Sequence, residues 1–262
     1  MQRIQRLIRL LQANQYIHVR DITDWNVKRA IYQEPGTYTD VDTEQQTINV
    51  GDWLVDSGTT AFLNKVIELP EHWSKEDIAI IFQAGGNGKQ SYCESLMTIN
   101  GIPPQGLDRN RNLVKINSEQ LKDNVLQVEI ELFNPVGIPT DHLRGFNLVA
   151  SPETDPPRAF LEQSQLVWIN KPVQSFLYTL EICYKTWMLL EKSDTRSYVL
   201  HQAMEQIVEH VGIPQEKTLQ DASLWMTFEE QLKAKLDKVS GYREGTIRAI
   251  GQSHIDTAWL WP

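Results

Sequence analysis

The feature that most constrains this chain is a change in hydrophobic period partway along it. From about Gly51 the sequence runs in short β-branched and aromatic segments broken by Pro, Gly and Asn, namely "TTAFLNKVIELP", "DIAIIFQAGG", "SLMTING", "NLVKI" and "NVLQVEIELF". In "VLQVEIELF" the alternation puts Leu126, Val128, Ile130 and Leu132 on one side and Val125, Gln127, Glu129 and Glu131 on the other, the pattern of a half-buried strand. Asn100-Gly101 reads as a hairpin turn, because both residue types accept positive φ. Beyond the proline-rich "SPETDPPRAF" the period becomes 3.6. "SYVLHQAMEQIVEHVGIP" carries Leu200, Ala203, Met204, Ile207, Val208 and Val211 as one apolar stripe, stopped by Gly212 and Pro214. "VQSFLYTLEICYKTWMLLEKS" and "DASLWMTFEEQLKAKLDKVSGY" behave alike, the second with Asp221 placed as an N-cap and Gly241 as a C-cap.

Strands followed by helices, with no long helix between the strands, predict an α+β chain. At its start Ile4, Leu7, Ile8 and Leu11 share one face of an amphipathic helix. The turn-rich stretch that follows, through "EPGTYTDVDTEQQ", reads as an irregular connection, so residues 1–50 are expected to be a helix and a linker. An antiparallel β-sandwich of jelly-roll, galactose-binding-like type is expected over 51–155. A helical linker layer is expected over 156–241, and a further segment over 242–262. In that last segment Ile247, Ala249 and Ile250 suggest a strand buried on both faces, as in a parallel sheet.

Charge and cysteine content narrow the function classes. With 25 basic against 34 acidic residues, a net of -9, and no long basic cluster, the chain lacks a surface for nucleic acid or anionic membrane. Cys93 and Cys183 show no C-x-x-C spacing and read as buried thiols. No signal-peptide pattern, apolar run of spanning length or N-x-[ST] acceptor occurs, so the cytoplasm is the expected compartment. "AGGNGKQS" lacks two of the positions a phosphate-binding loop needs, having Gln83 and Gln90 there, and reads as a hairpin connection. "GQSHI" has Ile255 where a nucleophile elbow needs Gly, which removes Ser253 as a nucleophile. His201, Glu205 and Glu209 recur every four residues beside an apolar stripe and read as a solvated helix face. Trp168, Trp187 and Trp225, in helical or boundary segments, read as packing residues.

The final stretch, "GQSHIDTAWLWP", carries the chemistry. If the backbone is extended there, His254 and Asp256 at i and i+2 point to one side, an imidazole and a carboxylate suited together to a divalent ion such as zinc. On spacing alone the pair fits equally a core strand that ends on two polar residues.

The longer string "HIDTAWLWP" resembles the zinc-site motif that opens the catalytic domain of the family 38 glycoside hydrolases, the retaining α-mannosidases, and is similar to their cytosolic branch in particular. "CESLMTINGIPPQGL" is similar to a sandwich hairpin of that branch, and "FLYTLEICYKTWMLL" to the helical segment before its catalytic domain. The resemblance implies an amino-terminal portion of such an enzyme, ending in the first strand of a truncated α/β catalytic barrel. It implies His254 and Asp256 as two zinc ligands, Trp259 as a wall of the mannose pocket, and mannose-containing oligosaccharides as substrates. The nucleophile and the acid/base carboxylate would come from sequence beyond the motif, so no catalytic residue is expected in these 262 residues and the chain alone should be inert. The sandwich is then expected to be a scaffold for the barrel or a contact between copies in a homo-oligomer. Two other readings stand beside this one: a non-catalytic carbohydrate-binding or assembly module, and a metal-dependent hydrolase of another kind such as a deacetylase.

Overall fold

The computed structural model describes residues 2–73, 77–86, 93–117, 120–121, 124–135, 158–212 and 215–239. They divide into a helical unit, up to His18 and from Ile169 onward, and a β unit, Val19–Trp168.

The helical unit contains α1 (Gln2–Ala13), α2 (Lys171–Leu189), α3 (Thr195–Val211), α4 (Glu216–Gln220) and α5 (Ala222–Val239). The spacing read in α1 is the spacing that packs: Ile4, Leu7, Ile8 and Leu11 are all buried. They join Phe176 and Leu180 of α2, Met204 and Ile207 of α3, and Trp225, Phe228 and Leu232 of α5 in one apolar core. Helices α2, α3 and α5 each begin on a side-chain cap that satisfies free amides of the first turn. Asn170 Oδ1 accepts from Val173 N before α2, with proline in the first turn. Asp194 Oδ1 accepts from Arg196 N at α3, and Asp221 Oδ1 accepts from Ser223 N and Leu224 N at α5, as its placement in the sequence anticipated. Gly212, at φ 60°, follows α3, where a side chain would be strained. The expected C-cap Gly241 lies outside the described residues.

The β unit is built of β1 (Tyr16–Asp21), β2 (Trp25–Glu34), β3 (Thr37–Asp40), β4 (Gln46–Ile48), β5 (Trp53–Val55), β6 (Thr59–Glu68), β7 (Ile78–Gly85), β8 (Glu94–Ile99), β9 (Ile102–Leu107), β10 (Leu113–Lys115), β11 (Val125–Asn134) and β12 (Ala159–Ile169). One sheet runs β1-β12-β7-β10 with β5 beside β12; the larger runs β3-β2-β6-β11-β8-β9 with β4 beside β2. Antiparallel pairing throughout the larger sheet leaves one face for the core and one for water. The sandwich expected from the sequence is present. Leu126, Val128, Ile130 and Leu132 of β11 are buried, and meet Ile78, Ile80 and Phe82 of β7 and Leu161 and Leu166 of β12 in a single core. Trp25 of β2 touches Phe82 edge-on at 5.7 Å between centroids and donates its indole N–H to Ser164 Oγ at 2.7 Å, so its one polar atom is satisfied inside. The β8–β9 hairpin turns on Asn100 and Gly101, at φ 50° and 78°. Asn100 also donates to Gln120 O and accepts from Gln127 N, which fastens the turn to the start of β11.

Three expectations need correction. The stretch read as an irregular connection carries β1 to β4, and the sandwich therefore begins well before Gly51. The segment assigned to a helical layer from residue 156 opens with β12, an eleven-residue strand that contains Trp168 and pairs with β7. The glycine-rich segment after β7 does not close a hairpin, because β7 and β8 belong to different sheets.

Candidate functional site

His254, Asp256 and Trp259, together with the strand expected around Ile247 to Ile250, lie outside the described residues. Among the described residues, no group of three or more His, Cys, Asp or Glu side chains is placed to hold a metal ion. The His201, Glu205, Glu209 row binds within the helical unit: Arg3 Nη1 of α1 lies 3.3 Å from Glu205 and 3.7 Å from Glu209. The His201 ring stacks on Trp187 at 4.8 Å, with Nε2 3.7 Å from Glu205. That row ties α1 to α3, a more engaged role than the solvated face expected of it. Both cysteines are buried, as read, and burial pushes the Cys183 thiol up to about 11, so it stays protonated and unreactive at neutral pH.

A cleft of about 360 Å³ opens between α3 and α5, lined by Gln206, His210, Ser223, Thr227 and Gln231 among others. Its one carboxylate, Asp221, is engaged in capping α5 and in accepting from Ser223 Oγ at 2.7 Å. Those bonds, chiefly the one from the Ser223 hydroxyl, hold it below the ordinary carboxylate range.

The larger sheet presents a different surface on the side away from its core. Across β2, β6 and β11 the register sets Lys28 beside Phe62 and Phe62 beside Glu131, with Asn26, Asn64 and Glu129 as the next row. Tyr32 and Tyr38 face each other across β2 and β3. Their rings meet edge-on at 5.7 Å, and Tyr38 meets Phe62 edge-on at 5.0 Å, a T-shaped chain of three aromatics over Ala30, which is only 2% exposed. Tyr38 donates its hydroxyl to Glu131 Oε1 at 2.7 Å. Burial, followed by that bond to a carboxylate, pushes the Tyr38 phenol up to about 12 and keeps it a donor. Lys28 Nζ reaches Asp40 Oδ2 at 2.6 Å, and Asn26 Nδ2 reaches Asn64 Oδ1 at 3.2 Å.

Beneath this face a buried cation fixes the strands. Arg29, on the core side of β2, is 1% exposed. Its guanidinium donates to Asp42 Oδ2 at 3.0 Å, Gln46 Oε1 at 2.9 Å, Trp53 O at 3.1 Å and Leu54 O, and lies 3.9 Å above the Trp53 ring. Asp42 also accepts from Arg29 N at 2.9 Å, so one residue pair locks the β3–β4 connection against β2 and β5. Charge burial on this scale is tolerable because the cation is paired with Asp42 and four of its five N–H donors find acceptors. The sequence reading missed the aromatic face, since Tyr32 and Tyr38 fall in the segment read as irregular. The available signal was the turn "EPGT", with Gly36 at φ 80°, standing between two tyrosines at hairpin distance.

No family model matches the chain. Among curated proteins it is similar to alpha-mannosidase 2C1 of Mus musculus, 28% identical over 81% of this chain and 19% of that protein, and to alpha-mannosidase 2C1 of Homo sapiens, 24% identical over 90% of this chain and 21% of that one. Alpha-mannosidase G of Dictyostelium discoideum is 23% identical over 83% of this chain. Among solved structures it is similar to a rhamnosidase from Novosphingobium sp. PP1Y, with 11% identity, a TM-score of 0.35 and coverage of 57% of this chain and 15% of that one. A xylan-binding module, CBM15, gives 11% identity and a TM-score of 0.25, over 58% of this chain and 96% of that one. Those two likenesses are too distant to bear on function. The chain spans about a fifth of the length of the mannosidases it matches. The resemblance to the α-mannosidases is borne out as similarity: over that fifth, this chain matches an amino-terminal portion of them.

Proposed function

We propose that the chain is the accessory part of a zinc-dependent, cytoplasmic α-mannosidase that removes terminal α-mannosyl residues from oligosaccharides with retention of configuration. The observation that carries this reading is sequence similarity to three α-mannosidases over more than four fifths of the chain. No described helix is long and apolar enough to cross a membrane.

His254 and Asp256 would hold the metal. An imidazole nitrogen and a carboxylate oxygen are both suitable zinc donors, but two fall short of the three or four protein ligands that a stable site uses, and no described cluster supplies the rest. Zinc, when bound, would act as a Lewis acid toward hydroxyls of the terminal sugar. Trp259 would offer an aromatic face to the apolar side of that sugar. The sandwich and the helices contribute no nucleophile in this account, and the 262-residue chain by itself turns over no mannoside. Copies of the chain associating through the sandwich would be compatible with it.

Retention is tested by following product anomers with proton NMR, using the longer polypeptide that this chain would introduce. Retention predicts α-mannose as the first product, with the β anomer appearing only as mutarotation proceeds. First-formed β-mannose would overturn that part of the reading.

A further inference from the structure

The solvent face of the larger sheet carries aromatic side chains that the sandwich core does not use. Phe62, Tyr38 and Tyr32 are each half-buried, and stand in a T-shaped chain. Hydrogen-bonding groups frame them in register: Lys28 and Asp40 on one side, Glu131 on the other, and the Asn26–Asn64 pair one row away. Glu131 is held in place by the Tyr38 hydroxyl through Oε1, which leaves Oε2 as an acceptor with no partner among the described residues. From β3 to β11 the patch crosses three strand spacings, about 14 Å.

Sugars have the complementary chemistry: C–H faces that pack on aromatic rings, and hydroxyls that exchange hydrogen bonds with carboxylates, amides and ammonium groups. Charge narrows the class. Glu129, Glu131 and Asp40 share this face with the single lysine Lys28, which Asp40 already neutralises, so anionic ligands such as phosphorylated or sialylated chains are repelled. The apolar groups on this face, namely the three rings, Leu96 beside Glu131 and Val66 beyond Asn64, are interleaved with Lys28, Asn64, Gln127, Glu129 and Glu131, unlike the charge-depleted centre of a stable protein interface. We propose that this face, centred on Phe62, Tyr38 and Glu131, is a binding platform for a neutral oligosaccharide, separate from any site formed by the terminal motif. The platform stands whether or not the longer protein is a mannosidase; only the choice of an α-mannoside as first probe rests on that reading.

The test is a titration of the ¹⁵N-labelled 262-residue chain with α-linked mannotriose and, separately, with xylotriose, read by amide shift perturbation. The platform predicts saturable shifts confined to β2, β3, β6 and β11. Phe62→Leu should weaken binding by about tenfold or more, as expected for loss of a central aromatic anchor. Glu131→Gln and Tyr38→Phe each weaken it several-fold, the second because the carboxylate loses its tether. Phe62 is half-buried, so its variant is checked against the unliganded spectrum; Glu131→Gln, on the surface, keeps the test decisive if Phe62→Leu fails to fold. Response to mannotriose supports both the platform and the mannoside reading. Response to xylotriose alone supports the platform and counts against a mannose-directed role. Absence of saturable shifts with either sugar, shifts centred elsewhere, or unchanged affinity in the variants would overturn the proposal. So would concentration-dependent broadening of these same amides without sugar, which would make the face a contact between copies.

Discussion

Replacing Arg29 with methionine removes the charge but keeps most of the side-chain volume, and isolates what the buried guanidinium contributes. In the wild type it satisfies Asp42, Gln46 and two backbone carbonyls at once and stacks on Trp53. Arg29→Met leaves all four acceptors without that donor, and leaves Asp42, itself 9% exposed, as a buried carboxylate whose countercharge is gone. Breaking a buried ion pair from one side costs about 3–5 kcal/mol, because the remaining charge loses its compensation but not its burial. For a unit of this size that corresponds to a fall in Tm of about 6–20 °C. The gross Coulomb attraction is larger, but desolvation of both ions offsets most of it, so the pair itself need not stabilise the fold. Changing Asp42 to asparagine in the same molecule should therefore recover part of the loss, since a neutral amide tolerates burial, its one oxygen still accepts from the backbone N–H of residue 29, and its NH2 can donate to the Gln46 oxygen that the guanidinium has left. Differential scanning calorimetry on the two single variants and the double variant gives the cycle. An Arg29→Met transition within 2 °C of wild type, or strictly additive losses, would refute the view that this cation anchors the β3–β4 connection.

Two further outcomes probe the helical unit. Trp225 is fully buried, stacked on Phe176 at 5.4 Å, with its indole N–H donated to Leu219 O at 3.2 Å; Trp225→Ala should cost about 3–5 kcal/mol in a denaturant titration, and a loss below 1 kcal/mol would contradict its central place in that core. At Glu229, burial favours the neutral acid, but hydrogen bonds from Lys233, Ser175 and Thr179 outweigh it and hold the carboxyl below its ordinary value of 4.5. A depressed carboxylate contributes stability that is fully present above the unfolded value and is lost as pH falls through the folded one. Acid titration of stability should therefore decline below about pH 4.5, and Glu229→Gln should flatten that decline; an unchanged slope would refute the assignment.

The parts of the fold that were readable in the sequence are those where one face alone meets the core. α1 and β11 show clean periods because Ile4, Leu7, Ile8 and Leu11, and Leu126, Val128, Ile130 and Leu132, are buried at regular spacing between wetter neighbours. β1 to β4 were hidden for physical reasons. β1 is mostly exposed and so lacks an apolar repeat, while β2 loses its alternation where Arg29 takes a core position normally held by an aliphatic residue. β12 carries a register shift between Leu161 and Gln163, which moves successive side chains out of phase and blurs a period of two. The aromatic face required the register of four strands before its members could be seen as neighbours. No periodicity within one strand could have joined Tyr38 to Phe62 and Glu131.

The proposed role in an α-mannosidase whose metal site includes His254 and Asp256 is open to direct test. Its most direct test is hydrolysis of an aryl α-mannoside by the longer polypeptide and by the 262-residue chain, each with and without a metal chelator, and again with His254→Ala in the longer form. The account predicts turnover only by the longer form, abolished by chelation and restored by zinc, and reduced by at least about a hundredfold in His254→Ala through loss of a metal ligand. Turnover by the 262-residue chain alone, or full chelator-resistant activity in the His254 variant, would contradict it.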